Sequence, residues 1–400
     1  MSSSFADFSI QASLIELLSS RKIKEPSPVQ AKSIPAILAG RDVIAESPTG
    51  TGKTLAYLLP ICEKLDPGQK ELQAVVLAPT HELVMQIFRE AELLLSPLGL
   101  SAVALIGGVD TKRQLEKLKK HPAIAVATPG RIKELLEQKK IKVHTVKTVV
   151  VDEADRMLDA GFQDLVRFVL KRMLRDTQRL FFSATLPANI KELLQSECKE
   201  PLMIQAETVA SANEVLHFYL VSEGKKKVDN LRRLIRLVDA KKTLVFVNKI
   251  DRVEEIREKL AYHHLDCRLL HRDSSKEDRT RAMQDFRQGK YPVLIVTDIA
   301  ARGLDIPDVE LVIHFDPATD AEAYIHRSGR TGRMGAAGLV ISIIIPQELF
   351  IVKKFIKQTG IHIEERLMRY GALVEPRPPE PFRQRPSGAA SRTKQKKGRT

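Results

Sequence analysis

Two α/β domains in tandem, each a parallel sheet covered by helices on both faces, are the fold this chain predicts. Three observations carry that expectation. Short apolar runs rich in Val, Ile and Ala alternate with amphipathic stretches, the pattern of parallel strands joined by crossover helices. The alternation runs through the first half of the chain and then starts again in the second. The length, 400 residues, suits two units at roughly 100–200 residues per domain.

In chain order, strands are expected at 42–45, 74–78, 123–127, 148–151 and 180–182, with helices at 55–65, 81–95 and 111–119 between them. A strand at 202–205 closes the first unit, 1–205, and the aperiodic segment 206–213 reads as a linker. The second unit, 214–374, repeats the scheme with strands at 243–247, 268–270, 293–297, 311–314 and 338–344 and helices at 252–263 and 276–288. The tail 375–400 holds five prolines and eight Lys/Arg against two Glu, with few large apolar side chains, and is predicted to be disordered.

Composition narrows the class. Hydrophobic residues make up 43% and charged residues 28%, the balance of a soluble globular protein. No apolar run approaches the ~20 residues that span a bilayer, and the start MSSSFADFSI lacks the layout of a secretory signal, so a cytoplasmic protein with no membrane partner is expected. Cys62, Cys198 and Cys267 lie far apart without metal-ligand spacing and read as reduced packing residues. The net charge of +14, of which the tail carries +6, favours a polyanionic partner. With 6 Tyr, 14 Phe and no Trp, the chain does not look like a reader that stacks successive bases, which leaves the sugar-phosphate backbone as the handle.

Chemistry is concentrated at three places. Ser47, Pro48, Thr49, Gly50, Thr51, Gly52, Lys53 and Thr54 form a phosphate loop between an expected strand and an expected helix. Its glycines let backbone N–H groups curl toward phosphate oxygens, and the following helix adds its positive end. Lys53 is placed to contact the β- and γ-phosphates of ATP, and Thr54 to ligate Mg²⁺. Ser47 stands where the general pattern has Gly. About 100 residues later, at an expected strand end, 151–155 reads VDEAD. Asp152 is placed to hold Mg²⁺ and Glu153 to orient and deprotonate the attacking water. In the second unit 324–333 reads YIHRSGRTGR, which offers His326, Arg327, Arg330 and Arg333. Arg330 and Arg333 suit arginine fingers that reach across a cleft to charge developing on the γ-phosphate.

These sites sit in a longer ordered series: PSPVQ at 26–30, APTHELV at 78–84, Gly107–Gly108, TPGR at 128–131, SAT at 183–185, LVFVN at 244–248, Arg279, TDIAARGLD at 297–305 and HRSGRTGR at 326–333. The series resembles the DEAD-box RNA helicases over roughly residues 5–335, and most of all the short members from Bacillus-type bacteria. The resemblance implies two RecA-like domains, ATP with Mg²⁺, RNA held by its backbone without sequence reading, and local separation of short duplexes by a monomer. It implies that Gln30 reads the adenine edge and Asp305 takes the ribose. Ser183, Thr185, Asp155 and His326 couple hydrolysis to unwinding. Pro79, Thr80, Gly108, Thr128 and Arg131 face RNA from the first domain, and Arg279, Thr297 and Arg302 from the second. Structured RNA, such as ribosomal RNA during large-subunit assembly, is the implied substrate.

The chain departs from the family at two informative places. A Gly-aromatic pair before the adenine-reading glutamine is Lys22–Ile23 here, and the arginine after Pro-Thr is His81. Two rivals stay open at this stage: an ATP-gated RNA clamp without productive unwinding, and a DNA translocase on the same core. The tail is expected to tether RNA through charge alone.

Overall fold

A computed structural model of the chain describes residues 4–158, 161–206, 215–271, 273–298, 306, 308–332 and 336–376. The expected linker from 207 on, the tail from 377 on, and the site residues Arg302, Asp305 and Arg333 lie outside the described residues.

Two seven-stranded sheets organise the rest. The first contains β1 (Val43–Glu46), β2 (Ala74–Leu77), β3 (Ala102–Leu105), β4 (Ile124–Ala127), β5 (Thr148–Asp152), β6 (Gln178–Ser183) and β7 (Leu202–Gln205). Its order is β3-β4-β2-β5-β6-β1-β7, and every pairing is parallel. The second contains β8 (Val215–Val221), β9 (Thr243–Phe246), β10 (Cys267–Leu270), β11 (Val293–Val296), β12 (Leu311–His314), β13 (Gly338–Ile344) and β14 (Glu364–Glu365). Its order, β10-β11-β9-β12-β13-β8-β14, is the same permutation, and it too is parallel throughout. A hairpin of β15 (Leu367–Arg369) and β16 (Ala372–Val374) ends the described chain before Pro376.

The central strands β2, β4, β9, β11 and β12 are buried at every position, as parallel strands covered on both faces must be. Each sheet has one apolar cluster per face. Every member of the first two clusters lies at or before Ala206, and every member of the other two at or after Val215. No cluster of described residues joins the two halves.

The topology positions the chemistry. The order β5-β6-β1 sets the loops after those three strands side by side at the carboxyl edge, where ligands of open parallel sheets bind. VDEAD runs off the end of β5, SAT starts on the last residue of β6 and the phosphate loop follows β1.

Candidate ATP site between the two halves

The phosphate loop takes its shape from two left-handed glycines, Gly50 at φ 79° and Gly52 at φ 87°. Gly52 caps the helix Lys53–Lys64, which begins two residues earlier than the sequence predicts. It also leaves room for Gln30, because a Cβ at Gly52 would stand 2.3 Å from Gln30 Nε2. Gln30 Nε2 donates to Gly52 O at 3.0 Å, and Gln30 Oε1 accepts from Ser27 N at 2.9 Å. The amide keeps one N–H and one lone pair, the complement of an adenine edge. Ser47 fills its variant position with a hydroxyl 2.7 Å from Thr51 Oγ1, while its N–H donates to Ser183 O at 3.0 Å.

Lys53 Nζ donates to Ser47 O at 2.5 Å and Pro48 O at 3.1 Å. Burial pushes its pKa down, while Asp152, Asp155 and Glu153 act to hold it charged. Asp152 ends β5 almost fully buried. Its Oδ2 accepts from Tyr57 Oη at 2.8 Å and its Oδ1 from the Glu153 N–H at 2.9 Å. Burial raises its pKa to about 6, although Lys53 opposes the rise. Glu153 adopts φ 49° and is paired by Arg156 Nη1. Thr185 Oγ1 donates to Asp155 Oδ2 at 3.1 Å, and Ser183 Oγ lies 3.4 Å from the Asp155 N–H.

The second half meets this edge directly. His326 Nε2 lies 3.8 Å from Asp155 Oδ2, and Thr49 Oγ1 donates to Gly329 O at 3.2 Å. A cavity of about 640 Å³ opens between the halves. Gln30, Lys53, Thr54, Asp152 and Glu153 line it on one side, with His326 and Arg330 on the other. Arg327 has a separate task from its neighbours in the motif. It is 2% exposed and donates twice to Asp298 at 2.6 Å, to Asp316 O at 2.8 Å and to Asn248 Oδ1 at 2.8 Å, so it clasps β9, β12 and the loop after β11.

A second group gathers at the edge beyond β2 and β4. Thr80 caps the helix His81–Leu95 through a bond from the Leu83 N–H, and Thr128 stands at the N-cap position of Pro129–Glu137 with no capping bond from its side chain. His81 lies beside Gly107 and Gly108, the latter at φ 68°. Arg131 does something the sequence does not announce. It is 5% exposed, and it donates to Ile106 O at 3.1 Å, Val109 O at 2.7 Å, Thr111 Oγ1 at 2.8 Å and Glu134 Oε2 at 2.8 Å. It therefore braces the loop that presents Gly108 rather than offering a free guanidinium. Arg279 reaches over from the second half to Glu82 Oε1 at 2.9 Å. Thr297 is buried, with no partner for its hydroxyl among the described residues.

Both halves match family signatures: residues 27–193 match the DEAD/DEAH box helicase family and residues 226–335 the helicase conserved C-terminal domain. The chain is 45% identical over 364 residues to the DEAD-box ATP-dependent RNA helicase CshC of Bacillus cereus, covering 91% of this chain and 93% of that one. The chain belongs to the DEAD-box helicase family. It is also 45% identical over 351 residues to the probable ATP-dependent RNA helicase YfmL of Bacillus subtilis, covering 88% and 93% of the two chains. Its fold superposes on that of S. cerevisiae Dbp5 bound to RNA and ADP BeF3 with a TM-score of 0.82, at 28% identity, over 90% of this chain and 95% of that one. Tyr57, Arg156 and Arg327 are side chains of this site to which the motifs by themselves assign no role. A tyrosine one helical turn after Lys53, aimed at a strand-end aspartate, is the signal that was available for the first.

Two further points bear on chemistry. Burial pushes the thiols of Cys62, Cys198 and Cys267 up to about 12, which leaves them inert near neutrality. No helix of the described residues is long and apolar enough to cross a membrane.

Proposed function

We propose that the chain is an ATP-dependent RNA helicase that hydrolyses ATP on binding RNA and locally separates short duplexes. The observation that carries this is the shared cavity: the phosphate loop, Asp152 and Glu153 from one half face His326 and Arg330 from the other. Neither half holds all of the groups that in-line phosphoryl transfer requires.

In this reading the domains are 1–205 and 214–374, joined by 206–213, and the basic tail 375–400 tethers RNA. Gln30 reads the adenine edge and Asp305 takes the ribose. Lys53 and the loop N–H groups hold the phosphates. Thr54 and Asp152 are hard oxygen donors placed at the phosphate end of the cavity, and they would hold Mg²⁺, which supplies neutralisation of phosphate charge. Glu153, oriented by Arg156, positions the attacking water and takes its proton. Arg330, joined by Arg333, meets the charge that grows on the transferred phosphoryl group. RNA lies across Pro79, Thr80, Gly108 and Thr128 in the first domain and Arg279, Thr297 and Arg302 in the second, on backbone and 2′-OH contacts. Bending of one strand costs the duplex a few stacking steps of about 1.4 kcal/mol each, and a short duplex then separates by itself. The setting we infer is cytoplasmic, with a monomer acting on structured RNA such as that handled in ribosome assembly.

The test is strand displacement on a short RNA duplex together with RNA-stimulated ATPase. Lys53→Ala and Glu153→Gln should abolish both, and turnover retained in either variant overturns the site assignment. Hydrolysis on RNA without strand release favours an ATP-gated clamp instead. Equal stimulation by DNA favours a translocase.

A further inference from the structure

No Phe, Tyr or Trp is among the described residues that line the cavity read as the ATP site, and its imidazole, that of His326, stands beside Asp155. Ile23 lies at the base end beside Gln30, where a purine needs a flat neighbour on its face, and a branched aliphatic chain packs there without stacking. The same wall carries Arg21 and Glu90. Arg21 Nη1 and Nη2 donate to Glu90 Oε1 and Oε2 at 2.5 and 3.0 Å, a fork-to-fork pair that fixes the plane of the guanidinium. The two side chains are 32% and 17% exposed, so the pair stands at the cavity's rim.

Local structure explains the placement. The helix Ala12–Ser20 ends where Ile23 N–H donates to Leu18 O at 2.9 Å and Lys22 N–H to Ser19 O at 3.0 Å, with Lys22 left-handed at φ 63°. That turn delivers Arg21 and Ile23 to one wall. Glu90 arrives from the helix His81–Leu95, which packs beside the phosphate-loop helix. A fixed, planar cation is a stacking partner for a π-face, and Arg serves this role where Lys does not.

We propose that the Arg21 guanidinium, held in plane by Glu90, is the stacking surface for the purine of bound ATP, and that this pair sets base affinity in place of an aromatic at position 23. The proposal rests on the reading of the cavity as the ATP site.

Its test is a titration of the full chain with a ribose-labelled fluorescent ATP, run beside inorganic tripolyphosphate as a competitor that has no base. Arg21→Lys keeps the charge and the pairing to Glu90 but removes the flat face. It should weaken ATP about three- to tenfold and leave tripolyphosphate within about twofold. Glu90→Gln, which loosens the clamp, should shift ATP in the same direction. Ile23→Phe added to Arg21→Lys should recover most of the loss. Unchanged ATP affinity in Arg21→Lys, or an equal loss for tripolyphosphate, overturns the proposal, as does a double variant no better than the single. The underlying reading fails separately: wild-type chain that binds no ATP, or Lys53→Ala that binds ATP and tripolyphosphate as wild type does, removes the site itself and this proposal with it.

Discussion

Tyr57 Oη donates to Asp152 Oδ2 at 2.8 Å, and both side chains are buried. The bond crosses from the phosphate-loop helix to the end of β5, so it ties the group proposed to hold phosphate to the group proposed to hold Mg²⁺. Its removal leaves a buried carboxylate short of a donor and free to turn.

Tyr57→Phe should therefore lower stability by about 1.5–3 kcal/mol, the worth of a hydrogen bond to a charged group. It should also raise the Mg²⁺ concentration at half-maximal ATPase several-fold. Urea unfolding and a Mg²⁺ titration of turnover check the two effects independently.

The cleft has a second close contact, with less tolerance. A Cβ on Gly329 would stand 1.6 Å from Thr49 Oγ1 and 2.9 Å from Thr49 Cβ. Gly329→Ala should fold normally and bind ATP, yet lose RNA-stimulated ATPase by at least about tenfold because the halves no longer meet. Thr49→Ala in the same chain removes the hydroxyl and should restore part of the rate. A double-mutant cycle on turnover measures that coupling.

Arg131→Lys replaces a fork of donors with a point charge. The Val109 carbonyl loses its partner and the Ile106 carbonyl keeps only Gln114 Nε2, and a loss of about 1–3 kcal/mol in local stability follows. Amide exchange across residues 106–111 should quicken, and RNA affinity should fall although Arg131 itself is buried.

Lys22 holds φ 63°, where an L side chain costs roughly 1–2 kcal/mol. Lys22→Gly removes that strain and adds back some unfolded-state entropy, for a net gain of about 0.5–1 kcal/mol. A higher urea midpoint with unchanged ATPase is the expected result.

His217 Nδ1 lies 2.9 Å from Tyr324 Oη, and burial lowers its pKa to about 4. A His whose folded value lies below the unfolded ~6.5 contributes stability that is complete above pH 6.5 and is lost as pH falls toward 4. Asp152, raised to about 6, works in the opposite sense. Comparison with His217→Asn, which keeps an acceptor in place of Nδ1, cancels that contribution. Wild type should lose about 2 kcal/mol more than the variant between pH 7.5 and 5, measured by urea unfolding.

Much of the frame was legible because parallel strands buried on both faces write themselves as uninterrupted apolar runs. β7, β12 and β13 fall at their predicted bounds, as does the helix His81–Leu95. The missed strands are those where that signal weakens. β3 is a four-residue edge strand with alternating burial, β8 starts just after an aperiodic stretch, and β14 has only two residues. Site residues in Gly-rich loops were legible for the same reason that their backbones are unusual, as at Gly50 and Gly52. What each side chain touches was less so. Arg131, Arg327 and Arg330 look alike in sequence, and only the packing around them separates a loop brace, a clasp between strands and a wall of the cavity.

The four apolar clusters stop short of the boundary between the halves. The contacts identified across it are polar: Thr49 to Gly329, Glu82 to Arg279, and Asp155 beside His326. Among the described residues, parting the halves therefore opens none of the four apolar clusters and exchanges polar contacts for water. Such a joint behaves as a balance rather than a lock. In the proposed reading, nucleotide on one side and nucleic acid on the other are the weights, and a single hydroxyl or one ion pair at the rim should be enough to move the pointer.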